Sequence, residues 1–203
     1  KKLDKYHLLN HPFYKSWNDG KLTREIIKDY AEQYYQHVKA FPRYISATHS
    51  LCEDLNKRKI LLENLQDEEK DGADHPKLWK NFALAMGADK EKIESVKKEK
   101  FTTDMIDNFF KNGRASYPEG LASLYTYERQ IPEIAETKIR GLKNHYGVTS
   151  KEGLEFFEVH KAADVYHREA CEKLLDNLST KEQKKAEASA LSTAKYLWNF
   201  LSG

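Results

Sequence analysis

Apolar residues recur at helical spacing almost from end to end of the 203-residue chain, and no alternating or paired strand pattern interrupts them. Thr23 caps a long predicted helix in which Ile26, Tyr30, Tyr34, His37 and Phe41 share one face, which turns phenols and an imidazole inward. Pro42 predicts a kink, with helix resuming through Tyr44 to His49. A helix from about Cys52 to Lys70 is expected to pack through Leu55, Leu61, Leu62 and Leu65 and to stop at Asp71-Gly72. Asp74-His75-Pro76 opens a short helix over Lys77 to Met86, and Asp89 starts a Lys/Glu-rich helix with a solvated face. Phe101 to Phe110 is amphipathic and is broken by Asn112-Gly113. Tyr117-Pro118 begins a long helix that Gly147 ends near Tyr146, Thr149-Ser150 caps the next, and Lys181 to Phe200 forms the last. His11 to Trp17 reads as a turn around Pro12 followed by aromatics. The expected fold is an all-α bundle of seven or eight helices in a single domain over residues 1–203.

Polar residues on these apolar stripes carry the chemistry. His160, Asp164 and His167 stand at i, i+4 and i+7, within roughly 60° of one another on a helix face. The same face carries Phe157, Cys171, Leu174 and Leu178, so the trio is expected to be buried. Leaving two imidazoles and a carboxylate there without partners would cost several kcal/mol, whereas a metal would use all three. Glu128 lies at the centre of another stripe, formed by Leu121, Leu124, Ile131, Ala135, Ile139 and Leu142. Pro132 cannot donate to the Glu128 carbonyl, which opens the helix beside that side chain. The plainer reading of Glu128 is a buried carboxylate paired with an arginine or tyrosine. Glu68, Glu69, Asp71, Asp74 and His75 form an acidic cluster around one histidine; phase slightly favours Glu69 as the inward residue, and the plainer reading is a solvated acidic turn. Together these residues offer three imidazoles and three carboxylates, a mixed N/O set that suits a pair of iron or manganese ions. His160, Asp164 and His167 alone suffice for a mononuclear ferrous site.

Charge and composition narrow the alternatives. Lys and Arg number 34 against 32 Asp and Glu, a net charge of +2, and no basic block is interleaved with aromatics, so nucleic acid is not an expected partner. No apolar run approaches the ~20 residues of a membrane span, and Lys1 to Lys5 lacks the apolar core of a signal peptide. Two cysteines, Cys52 and Cys171, give no disulfide framework. The expected location is a bacterial cytoplasm, with secretion left open. Twelve tyrosines make the chain rich in oxidisable rings.

Six segments in order carry a resemblance over nearly the whole chain. They are His11-Pro-Phe-Tyr14, His37-Val-Lys-Ala-Phe-Pro-Arg-Tyr44, Asn64-Leu-Gln-Asp-Glu-Glu69, Tyr125-Thr-Tyr-Glu128-Arg-Gln-Ile-Pro-Glu-Ile-Ala135, Lys138-Ile-Arg-Gly-Leu142, and His160-(x3)-Asp164-(x2)-His167. In them the chain closely resembles the CADD family, the chlamydial proteins associating with death domains, which is similar in fold to haem oxygenase, PQQ-synthesis protein C and the thiaminase TenA. The resemblance implies a di-metal oxidase, with iron or a manganese-iron pair, that uses dioxygen and an external electron donor. Its metal ligands match Glu68, His75, Glu128, His160, Asp164 and His167, so the resemblance prefers Glu68 to Glu69. It further implies synthesis of p-aminobenzoate for folate, with the enzyme's own tyrosine excised as the aromatic ring. The sacrificed phenol matches Tyr14 and the amino donor matches Lys138, which from the sequence alone reads as a solvated surface cation. Some relatives carry a second tyrosine where Phe156 stands, so a phenol here must come from Tyr14, Tyr30 or Tyr127. Tyr30, Tyr34, Tyr127 and His37 read as supporting or radical-relay residues, and Cys171 as packing.

Two other functions compete with that one. One is a multi-turnover oxidase or hydrolase of a small heterocycle, like PQQ-synthesis protein C or TenA. The other is a helical interaction protein for a host death domain, which rests on the family name alone. A homodimer is compatible with all three.

Overall fold

The computed structural model describes residues 2–203, apart from the side chains of residues 162–165. Among the described residues it is all-α, with ten helices: α1 Pro12–Asn18, α2 Arg24–Ser50, α3 Leu55–Glu68, α4 His75–Ala85, α5 Lys90–Ser95, α6 Lys100–Ala115, α7 Tyr117–Glu128, α8 Ile131–Asn144, α9 Lys151–Asp176 and α10 Thr180–Phe200.

Most helix starts follow from the sequence. The side chains of Thr23, Asp54, Asp74, Asp89, Ser150 and Ser179 each accept a hydrogen bond from an amide of the first turn that has no partner inside the helix. Ser179 and Glu182 complete a reciprocal capping box.

The helix count exceeds the expected seven or eight for identifiable reasons. His11 to Trp17 is not a turn, because Pro12 opens α1 and His11 Nδ1 accepts from the Phe13 amide at 3.1 Å, a cap that histidine seldom provides. The expected single helix from Pro118 to Tyr146 is two helices, divided after Glu128 where Pro132 withholds the next backbone donor. α2 runs as one helix through Pro42. Asn112-Gly113 does not break α6, where both residues are buried.

α2 packs on α3, α4 and α6; α9 packs on α4, α7 and α8; and α10 closes over α6 and α7. One large apolar cluster runs through these helices, with Trp17, Trp79, Phe82 and Phe109 fully buried. Each such side chain contributes about 1.5–3 kcal/mol relative to exposure. A Cβ at Gly141 would meet Trp17 Nε1 at 2.2 Å, so the glycine lets α1 seat against α8 and brings Tyr14 inside. The inward face of α2 begins at Ile27, with Ile26 exposed, and α3 turns Leu61 in while Leu55 and Leu62 face solvent. Those three expected core positions, Ile26, Leu55 and Leu62, lie off their stripes because the helices are rotated toward Tyr30 and Asn64, whose side chains are buried.

Candidate metal centre

Three helices bring Glu68, His75 and His160 together. Their ligand atoms all lie within 4.8 Å of one another, and all three side chains are buried. Glu68 closes α3, His75 opens α4 under the Asp74 cap, and His160 projects from the middle of α9. Glu68 is the inward carboxylate and Glu69 is exposed, against the weak preference of helical phase. Glu68 Oε2 stands 2.7 Å from His75 Nδ1, and the His75 and His160 rings are 4.2 Å apart. His160 Nδ1 donates to the Phe156 carbonyl at 2.6 Å, which leaves Nε2 as the nitrogen with a lone pair. Burial, and then the neighbouring His75, hold the His160 imidazole well below its usual pKa. It is therefore neutral, the state a metal requires.

Among the described residues, Glu128 and His167 do not join that three-residue group. Glu128 is 2 % exposed at the end of α7, accepting from Asn64 Nδ2 at 2.6 Å and from Cys171 Sγ at 3.3 Å. Both of these donors are neutral, and burial with the adjacent Glu128 pushes the Cys171 thiol up. His167 is buried, with Nε2 3.0 Å from Oδ2 of the half-exposed Asp67. Asp164 lies outside the described residues. Sequence reasoning passed over Asn64 and Asp67; the signal for Asn64 is its position one turn before Glu68 on the same face, and Asp67 carries none, being the outward neighbour of Glu68.

Beside the imidazoles is a chamber of aromatic side chains. Tyr14, Tyr30, Tyr34 and Tyr127 line it together with Lys138, Phe156 and His160. Lys138 is not a surface cation: it is 3 % exposed on α8, and Nζ donates to the Tyr30 hydroxyl. The rings of Tyr30, Trp79, Tyr34, Phe157 and Tyr14 have centroids 4.7, 5.1, 5.3, 5.3 and 5.8 Å from Nζ. Desolvation holds the Lys138 amine well below its usual pKa, toward the neutral nucleophilic form. Burial holds the Tyr14 and Tyr30 phenols well above theirs, so both keep their protons. Tyr30 stacks on Tyr34 at 5.4 Å, and the Tyr34 hydroxyl donates to that of Tyr127 at 3.2 Å. The phenols thus form a series running from Tyr14 through Tyr30 and Tyr34 to Tyr127. His37 packs against Tyr34 and Tyr127, and neither of its ring nitrogens has a hydrogen-bond partner. The chamber leaves a cavity of only ≈ 20 Å³, about the space of one water molecule.

The donor chemistry fits a first-row transition metal: two neutral imidazoles and one carboxylate converge in a buried pocket, the mixed N/O set that iron and manganese accept. Three helices of an all-α bundle thus project one carboxylate and two histidines into one buried centre. The chain belongs to the TENA/THI-4/PQQC family, whose pattern it matches over residues 1–203. It is 39 % identical over 206 residues to the 4-aminobenzoate synthase of Chlamydia pneumoniae, covering 100 % of this chain and 91 % of that one. Identity to the pyrroloquinoline-quinone synthase of Acinetobacter baylyi is 25 % over 209 residues, covering 98 % and 80 % of the two chains. A Shewanella denitrificans domain described as having a haem-oxygenase-like fold superposes with a TM-score of 0.82 at 18 % identity, over 98 % of this chain and 85 % of that one. The fold is therefore haem-oxygenase-like, as the sequence resemblance implies. No helix among the described residues is long and apolar enough to cross a membrane.

Proposed function

We propose that this protein makes 4-aminobenzoate and builds the product from its own side chains, with Tyr14 giving the ring and Lys138 the amino nitrogen. The observation that carries the reading is the buried Lys138 amine, enclosed by phenols in a chamber that also exposes His160. A cavity of ≈ 20 Å³ offers about the space of one water molecule, which favours a ring taken from the chamber wall over one that diffuses in.

Glu68, His75 and His160 would hold one metal ion, with Glu128, His167 and Asp164 completing a second site. Bound there, iron or a manganese-iron pair would supply dioxygen activation, with electrons from an external reductant. The chain's own residues do the rest. The ring and Cβ of a tyrosine together carry the carbon skeleton of 4-aminobenzoate: the Cα–Cβ bond would break to leave a glycyl residue while dioxygen, with the external reductant, oxidises Cβ to the carboxylate. The Lys138 amine would condense at the phenolic carbon, whose oxygen leaves as water, and then part from Cε, which oxidation and hydrolysis leave as an aldehyde. Tyr30 holds Lys138 Nζ by its hydroxyl and interacts in turn with the Tyr14 phenol, which keeps amine and ring together. Phe156 stacks on His160 at 4.0 Å and walls the imidazole off from bulk water. Tyr34 and Tyr127 link the phenols to the ligand side, a route for an oxidising equivalent.

Tyr30 is the second candidate for the lost ring, because it is the phenol closest to Lys138 Nζ. Metal-loaded protein given reductant and dioxygen is expected to release no more than one 4-aminobenzoate per chain, with the mass loss mapping to the peptide that holds Tyr14. Loss from the Tyr30 peptide would reassign the ring, and release of many products per chain would overturn self-sacrifice altogether.

A further inference from the structure

We propose that Asn64 and Cys171 are positioning residues that fix the Glu128 carboxylate as a metal ligand, an inference that rests on the metal-dependent reading above. Glu128 ends α7, and Pro132 removes the amide that would otherwise hold its carbonyl, so its local backbone does little to orient it. Orientation comes from elsewhere. Asn64 Nδ2 donates to Oε1 at 2.6 Å and Cys171 Sγ donates to Oε2 at 3.3 Å, so each oxygen has its own donor.

The donors belong to the ligand-bearing helices. Asn64 stands one turn before Glu68 on α3, and Cys171 one turn after His167 on α9. Each helix thus supplies a ligand candidate and, on the same face, a group that steers Glu128.

Both donors are neutral. An arginine at either place would bind Glu128 more strongly, but would put a fixed positive charge where a cation has to enter. A carboxylate oxygen has two lone pairs, so a neutral donor does not by itself exhaust its capacity. Asn64 is 3 % exposed and its Oδ1 has no hydrogen-bond partner, an omission that a purely structural buried amide would not carry. The contact the side chain makes with Glu128 is through its N–H.

The test is a titration of metal-stripped protein with Mn(II), alongside the visible absorption of the Co(II)-loaded form, with folding checked by circular dichroism. Asn64→Ala is expected to bind Mn(II) about 10–100-fold more weakly than the parent and to shift the Co(II) bands. Cys171→Ala should weaken binding less, and Cys171→Ser, which keeps a donor, should restore the parent affinity and spectrum. Folded Asn64→Ala with the parent's affinity and Co(II) spectrum overturns the proposal. Should Asn64→Ala not fold, the cysteine pair decides, and equal behaviour of Cys171→Ala and Cys171→Ser overturns it. A parent chain that binds neither ion removes the metal reading itself, a result distinct from either of those.

Discussion

The ligand side and the aromatic side of the buried centre treat charge in opposite ways. Around His160 the ionisable groups are matched: Glu68 faces His75, His167 faces Asp67, and Glu128 receives Asn64 and Cys171. On the other side Lys138 has only the Tyr30 hydroxyl and a cage of rings, with no carboxylate beside it among the described residues. Removing a partner on the first side strands a buried charge, whereas removing Lys138 relieves a desolvation. One side pairs its ionisable groups, and the other disfavours the charged form of its amine.

Lys138→Met tests that contrast most severely. It is expected to abolish 4-aminobenzoate formation and to raise the melting temperature, two changes that seldom go together. The parent should also be more stable at high pH, because the folded amine titrates below 10.5 and the unfolded chain holds a proton there that the native state lacks. Stability therefore climbs as pH rises toward 10.5, and Lys138→Met flattens the climb. Thermal melts across pH read all of this, and a Lys138→Met variant that melts lower than the parent breaks the contrast.

His160→Ala strikes the ligand side. It is expected to weaken Mn(II) or Fe(II) binding by at least about 100-fold, beyond the 10–100-fold typical of residues that only support a ligand. Calorimetric titration measures it. Retention of the parent stoichiometry would mean that the metal sits elsewhere.

The two sides also differed in how far the sequence disclosed them. Helical periodicity and conventional caps made the all-α bundle readable, and the spacing of His160 and His167 pointed to a buried face. Glu68 was ambiguous with Glu69 because their adjacent phases both border the α3 stripe, and only the resemblance preferred Glu68. Lys138 was opaque for a different reason. A lysine at the edge of an apolar stripe ordinarily extends to solvent, and its burial depends on rings delivered by α1, α2, α4 and α9, which no local pattern encodes. Asn64 and Cys171 each share a face with a ligand candidate, but neither position says that its side chain meets Glu128, which only the packing of α7 against α3 and α9 decides.

His37 belongs to neither side and offers a smaller effect. Burial lowers its pKa from 6.5 to about 3, so below pH 6.5 the unfolded chain takes up a proton that the native state refuses. Stability falls with pH through that window, and at pH 5 the loss from this residue is about 2 kcal/mol. His37→Leu is expected to remove that part of the acid sensitivity while leaving stability at pH 8 nearly unchanged. Urea midpoints at the two pH values compare the variants; an unchanged difference between them would assign the acid sensitivity to other groups.

The smallest effect is expected at Asp67, where the ligand side meets solvent. Its carboxylate is half exposed and touches His167 Nε2 at 3.0 Å, the arrangement in which a carboxylate fixes the tautomer of a metal-binding imidazole. Water screens an exposed charge, so its removal should cost less than loss of the buried Asn64 donor. Asp67→Asn is expected to weaken Mn(II) binding by about 10-fold. High salt should lessen the parent's advantage, because the interaction lost is partly solvent-screened. If instead Asp67→Asn matches His160→Ala in the same titration, Asp67 is a ligand, and the boundary between the metal-holding residues and their supports moves outward to the surface of α3.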